Sequence, residues 1–170
     1  MIAAPDRTEA AEYYFTYIGQ VGAGDIRQIL ISQAPETLAL LKGISEPQSM
    51  HKYAPDKWTI REVVSHINDC ERLFSFRAMW FARGFADPLP SFDQNIAIAS
   101  AGANDRSLAS HVDEFRSVRE ASISFFSSLT DDAWTRRGVA SGNPFSVRAL
   151  AYITAGHVTH HVKILRERYL

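Results

Sequence analysis

The sequence predicts an all-α protein: a four-helix bundle with a short N-terminal helix or arm, forming one domain over residues 1–170. Apolar residues recur at intervals of three and four through four long stretches. No strand-length alternation competes with that period, and no repeat or low-complexity segment appears. Turn and capping residues punctuate the chain between the stretches.

The first 23 residues carry the aromatic run Tyr13, Tyr14, Phe15, Tyr17 and Ile18, followed by Gly19, Gly22 and Gly24, which reads as a short helix or arm. From Asp25 to about Ile44, the positions Ile26, Ile29, Leu30, Leu38, Leu40 and Leu41 predict a first long helix. Pro35 removes a backbone donor within it and predicts a kink. Residues 45–57 hold two prolines and no periodicity, the mark of a loop. A capping box then opens the second helix, because the Thr59 hydroxyl can accept from the Glu62 amide while Glu62 reaches back to the Thr59 amide. Trp58 and Val63 are placed to form its hydrophobic staple, and the helix runs to about Arg83, where Gly84 and Asp87-Pro88-Leu89-Pro90 stop it. Residues 84–103 form a long connection that predicts a crossover. Leu108, Val112, Phe115, Ser122, Phe125, Phe126 and Leu129 predict a third helix from about Asn104 to Leu129. After a brief turn at Thr130-Asp131-Asp132, Asn143 is a good N-cap with Pro144 at the first helical position, and the fourth helix runs to the C-terminus.

A net charge of -1, from 18 Lys+Arg against 19 Asp+Glu, offers no surplus for a polyphosphate, so nucleic-acid binding is not expected. No apolar run approaches the ~20 residues of a membrane span. The single Cys70 permits neither an internal disulfide nor a cysteine metal cluster, and no basic segment precedes an N-terminal apolar stretch. A reducing cytoplasm is the expected compartment.

Among the six histidines, His51 and His111 stand alone in polar contexts, whereas His66, His157, His160 and His161 lie in amphipathic helices. At about 100° per residue, Leu150, Ile153, Thr154, His161 and Ile164 fall within about 60° of His157, so His157 and His161 share the core-facing arc. His160 falls toward its edge. Two imidazoles four residues apart on one helical face can converge on one metal ion. The intervening Val158, Thr159 and His160 lack the glutamate of the helical zinc-protease signature, which excludes that chemistry. A third ligand must come from elsewhere, and His66 lies inside the bundle-facing sector of the second helix, flanked by Glu62 and Asp69 as candidates to hold its other nitrogen. From spacing alone, His66 reads as a hydrogen-bonded core residue before it reads as a ligand. Cys70 reads as a small core residue, Arg77 as a residue snorkelling near the bundle end, and Trp80, Phe81, Phe85 and Phe92 as packing groups or the walls of a pocket.

Three segments together carry a family resemblance: Lys57-Trp58-Thr59-Ile60-Arg61-Glu62-Val63-Val64-Ser65-His66, then Glu71-Arg72, and Gly156-His157-Val158-Thr159-His160-His161. Their order and separation resemble the DinB-like family, also called DinB/YfiT-like, over about residues 10–170. The resemblance implies a four-helix bundle in up-down-down-up order, a long link between helices two and three, and frequent homodimers. It also implies one divalent metal, zinc or nickel, held by His66, His157 and His161, with His160 a non-ligand. Characterised relatives include thiol-dependent S-transferases and a mycothiol-dependent isomerase.

Three neutral histidines would leave the ion an open position and its full charge, suited to acidifying a bound water or thiol. The expected activity is transfer of a low-molecular-weight thiol to an electrophilic small molecule. A hydrolase at the same site is the variant, and a non-catalytic ligand-binding or interaction bundle is the competing class. The segments 45–57 and 84–103 are expected to shape the pocket.

Overall fold

The computed structural model describes all 170 residues. Helix α1 (Phe15–Ile18) lies in the N-terminal arm, and the long helices are α2 (Ile26–Lys42), α3 (Ile60–Ala82), α5 (Leu108–Ser127) and α6 (Val147–Ile164), with a short α4 (Gln94–Ser100) in the crossover. Each start has a local cause. Asp25 caps α2 by accepting from Arg27 N, and Ser107 caps α5 by accepting from Ser110 N. The capping box of α3 forms as expected, with Glu62 N donating to Thr59 Oγ1 at 3.1 Å and Thr59 N to Glu62 Oε2 at 2.7 Å. Helix α2 runs unbroken through Pro35.

The third helix begins four residues later than expected, because Gly102 takes a left-handed conformation (φ 57°) and residues Ala103–Asp105 close a separate 3-10 turn. A larger correction concerns residues 137–146. The sequence pointed to Asn143 as a cap and Pro144 as the first helical residue, and to no strand at all. Instead β1 (Arg137–Ala140) and β2 (Asn143–Ser146) form an antiparallel hairpin in which Pro144 faces Val139. Ser141 and Gly142, both at positive φ (53° and 72°), make the two-residue turn whose twist suits paired strands. Proline is tolerated because this is an edge ribbon. The cap of α6 passes to Ser146, whose Oγ accepts from Ala149 N at 3.0 Å.

Side-chain pairings fix the helix directions. Asn68, Glu71 and Ser75 of α3 meet His111, Arg119 and Ser122 of α5 in rising order, so these helices are parallel. Gly24 and Gln33 meet Tyr152 and Ala155, so α2 and α6 are parallel. Trp58 meets Tyr169 and His66 meets His157, so α3 and α6 are antiparallel. The order is up-down-down-up.

The apolar core divides into two clusters. One joins Leu30, Phe74, Phe126 and Ile153 with the hairpin and arm; the other joins Leu41, Ile67, Phe115, Val158 and Leu165. Between them runs a polar layer centred on Arg119. Its Nε and Nη2 donate to the two oxygens of Glu71 at 2.7 and 2.8 Å, and its Nη1 donates to Leu30 O at 3.3 Å and Gln33 Oε1 at 2.7 Å. Gln33 Nε2 in turn donates to Ala155 O and Thr159 Oγ1, both at 2.9 Å. Arg119 and Glu71 are each 1% exposed.

The arm is held by Glu9, buried against α6. Its carboxylate accepts from Ser146 Oγ at 2.6 Å, from Arg148 Nε at 2.6 Å and from Arg148 Nη2. Further along, α1 crosses α6 at Gly156, where an added Cβ would stand 2.1 Å from Tyr17 O. Only glycine permits that approach. No helix is long and apolar enough to cross a membrane.

Two stability predictions arise here. Glu71→Gln leaves Arg119 buried without its counter-charge and should cost about 3–5 kcal/mol, seen as a large drop in Tm; Glu71→Leu with Arg119→Met should cost much less. Burial alone would raise the Glu9 pKa above its ordinary 4.5, but hydrogen bonds from Arg148 and Ser146 outweigh that and lower it. A carboxyl lowered on folding stabilises fully above its unfolded pKa and loses that contribution as pH falls through the folded value. Glu9→Gln should therefore cost roughly 1–3 kcal/mol at pH 7. The gap from wild type, followed by thermal melts against pH, should narrow below about pH 4.5.

Candidate metal centre

The capping box fixes where α3 begins and Ser146 where α6 begins, and the buried faces of the two helices carry His66 on one and His157 and His161 on the other toward each other. Their Nε2 atoms converge: His157 to His66 at 3.1 Å and His161 to His157 at 3.1 Å. The three candidate ligand atoms lie within 4.8 Å of one another. Ligand nitrogens about 2.0–2.1 Å from a tetrahedral ion stand roughly 3.3 Å apart, so little adjustment would admit one.

The residues fit a divalent cation on chemical grounds as well. Burial pushes the His66 pKa down to about 4 and that of His161 down to about 3, and it holds His157 well below the ordinary value. All three rings are neutral at pH 7 and present lone pairs. Three imidazoles at one point cannot satisfy each other by hydrogen bonds alone, and His161 Nδ1 is buried with no partner. Trp58, Tyr17 and Phe74 pack around the cluster, with ring centroids 5.0 Å from His66 for Trp58 and 5.3 and 5.6 Å from His157 for the other two. His160 stands outside, its Nδ1 3.4 Å from Gln20 Nε2.

Several expectations about neighbouring residues are corrected. Glu62 is occupied by the capping box and Asp69 pairs with Arg72, so neither holds His66; the group beside its Nδ1 is Cys70 Sγ at 3.5 Å. Cys70 is buried, and burial pushes its thiol up to about 12, which makes it a packing group. His111, alone in a polar stretch of sequence, is nonetheless fully buried, with Nε2 2.8 Å from Ala103 O. Arg77 does not snorkel: it is 2% exposed beneath the crossover and the hairpin.

His66 and His157 open onto a cavity of about 210 Å³, which is also bordered by Tyr14, Tyr17, Arg77 and Ser141. Phe92 and Gln94 of the crossover close one side. On the other flank, His161 borders a second cavity of about 260 Å³ with Asp56, Trp58 and Asn95. Segments 45–57 and 84–103 thus do reach the site. The tyrosines of the arm and Ser141 of the hairpin had no sequence signal, because they arrive from elements whose docking is not local.

Each of His66→Ala, His157→Ala and His161→Ala should reduce bound zinc or nickel from about one equivalent to near zero by elemental analysis, because two histidines alone bind weakly. His160→Ala should retain the metal. If the three variants keep helical circular dichroism and a cooperative melt, the site is dedicated to a ligand rather than to holding the fold.

Comparison with known proteins agrees with this architecture. The family model of the DinB superfamily matches residues 30–165. No curated protein matches the chain. Among solved structures, YfiT from Bacillus subtilis, described as a probable metal-dependent hydrolase with an unusual four-helix bundle topology, is similar with a TM-score of 0.72 at 16% identity. That match covers 95% of this chain and 91% of YfiT. At that identity it speaks to the fold, which YfiT shares, while the family match spans most of the chain: this protein belongs to the DinB superfamily.

Proposed function

We propose that this protein is a divalent-metal-dependent enzyme that joins a low-molecular-weight thiol to an electrophilic small molecule. The observation that supports this reading is the convergence of three neutral imidazoles beside a cavity, with no carboxylate among them. A bound zinc or nickel ion would supply a Lewis-acidic open position able to bring a thiol's pKa into the physiological range. Because the donors are neutral, the protein cancels none of that positive charge. The thiol S–H bond breaks, sulfur gives its electron pair to the electrophilic carbon to form a C–S bond, and the leaving group departs with the bonding pair. The proton passes to solvent or to that leaving group.

The surrounding residues suit this step. Trp58 and Phe74 exclude water from the rings they cover, which strengthens electrostatic interactions there. The Tyr17 pKa is raised by burial and by its hydrogen-bonded neighbour Tyr13, so its hydroxyl stays protonated and can donate to an oxygen of the substrate. The nearby carboxylates are engaged elsewhere, Glu62 in the capping box, Asp69 with Arg72 and Asp56, beside His161, with Lys57. A thiol ionised at the site needs no general base.

A second reading, with water as the nucleophile, makes the site a hydrolase. It draws on the fold shared with YfiT, described as a probable metal-dependent hydrolase. Parallel assays separate the two. Metal-loaded protein is incubated with cysteine and an activated aryl halide, following thioether formation, and with an activated aryl ester in the absence of thiol. The expected outcome is metal-dependent thioether formation at least ~100-fold above the uncatalysed rate, lost in His157→Ala. Ester cleavage without thioether formation would favour the hydrolase. Stoichiometric metal with neither activity would favour a non-catalytic bundle.

A further inference from the structure

Arg77 lies on the same face of α3 as Cys70, two turns toward the C-terminus, and is 2% exposed. The chain's other fully buried arginine, Arg119, grips the carboxylate of Glu71. Arg77 has only neutral partners: its Nη2 donates to Pro90 O at 3.0 Å and Ser141 Oγ at 2.9 Å, while its Nε is buried with no partner at all. A guanidinium removed from water without a counter-charge is strongly unfavourable unless something supplies the missing anion. Arg77 borders the same cavity as His66 and His157, together with the Tyr14 and Tyr17 rings.

We propose that Arg77 is an anion-recognising residue, and that the cavity takes a small organic acid whose carboxylate pairs with its guanidinium while the other end of the molecule lies at the three histidines. Pro90 and Ser141 take both Nη2 protons and hold the guanidinium in place, which leaves its Nη1 protons to meet a carboxylate as charge-assisted donors. One buried cation balances one carboxylate. At its Arg77 end the cavity offers no second cation beside the guanidinium, so a singly charged carboxylate is balanced there and a phosphate, with nearly two charges, is not. A volume of about 210 Å³ equals roughly seven waters, which suits a short-chain acid. The acid is either the thiol or the electrophile of the reaction proposed above, and the inference rests on that reading only for what the far end of the molecule does.

Calorimetric titration of metal-loaded protein with four probes of similar size tests the two ends separately: 3-mercaptopropionate, 3-mercaptopropionamide, butyrate and butyramide. The acid-over-amide ratio reports on Arg77, and the thiol-over-methyl ratio reports on the histidine centre. Wild type should bind 3-mercaptopropionate at least about tenfold more tightly than its amide. Arg77→Gln should abolish that ratio, and Arg77→Lys, which keeps the charge without the planar guanidinium that Pro90 and Ser141 hold, should restore part of it. His157→Ala should remove the thiol-over-methyl ratio and leave the acid preference of butyrate over butyramide. No acid preference in wild type, or one that survives in a folded Arg77→Gln, would overturn the anion site. If Arg77→Gln does not fold, Arg77→Met, which keeps the packing of the stem without the charge, takes its place: an acid preference that survives in it would equally overturn the site. An acid preference that depends on Arg77, with no gain from the thiol, would leave the anion site standing and sink the thiol reading instead.

Discussion

One buried guanidinium ties the four long helices together. Arg119 leaves α5, takes both oxygens of Glu71 on α3, and donates to a backbone carbonyl and to Gln33 on α2, which carries the connection on to Ala155 and Thr159 of α6. Apolar packing tolerates sliding and rotation at modest cost, since many arrangements bury similar areas. A desolvated ion pair with fixed donors does not, because any shift leaves a charge without its partner in a medium that penalises it heavily. The up-down-down-up order gives no short loop that would force α2 and α3 together, and α2 is instead joined to the bundle through this network. The two apolar clusters on either side can then pack as separate layers without losing register.

The histidines occupy that same layer. Gln33 bonds to Ala155 O and Thr159 Oγ1, residues that flank His157 in sequence, and Glu71 is five residues beyond His66. The groups that set the phase of α3 against α6 therefore also set how closely three imidazoles approach. Convergence at 3.1 Å between unprotonated rings is unfavourable in itself, for each ring desolvates a lone pair and none can bond to both others well. The fold supplies the rigidity that keeps them there. The charged clamp thus stands apart from the three neutral imidazoles, and no carboxylate lies among them.

Local signals were legible and non-local ones were not. Thr59 and Glu62 declare a helix start because the capping box is complete within four residues, and His157 and His161 declare a shared face because a helix repeats on that scale. His66 had no such local partner, so its bundle-facing position made it only a candidate third ligand, and its place in the set was what the family likeness implied. Arg119 sits among polar residues on its helix, and only the approach of Glu71 from another helix makes it a buried clamp. The hairpin was missed for a related reason. Asn143 and Pro144 suit a helix start as well as a strand after a tight turn, and what selects the strand is pairing with Arg137–Ala140 and the bond from Leu89 N to Val139 O. A wheel likewise cannot tell a helix end in solvent from one covered by later segments, so Arg77 reads as snorkelling until the crossover and hairpin close over it.

Those later segments give the site walls of a different origin from its histidines. The three histidines come from the bundle itself, held by helix phase and the Arg119 network. The walls facing them come from the arm, the crossover and the hairpin turn, through Tyr14 and Tyr17, Gln94, and Ser141. The arm stays because Gly156 has no Cβ to repel it and because Glu9 binds Ser146 and Arg148 at the head of α6. Changing a residue on such a wall need not disturb the polar layer, so pocket shape can vary while the three donors stay fixed. Arg77 bridges the two parts. It grows from the same helix as His66, yet its bonds to Pro90 and Ser141 orient it from the crossover and the hairpin. A charge rooted in the scaffold but aimed by the loops is well placed to select which small molecule reaches the histidines.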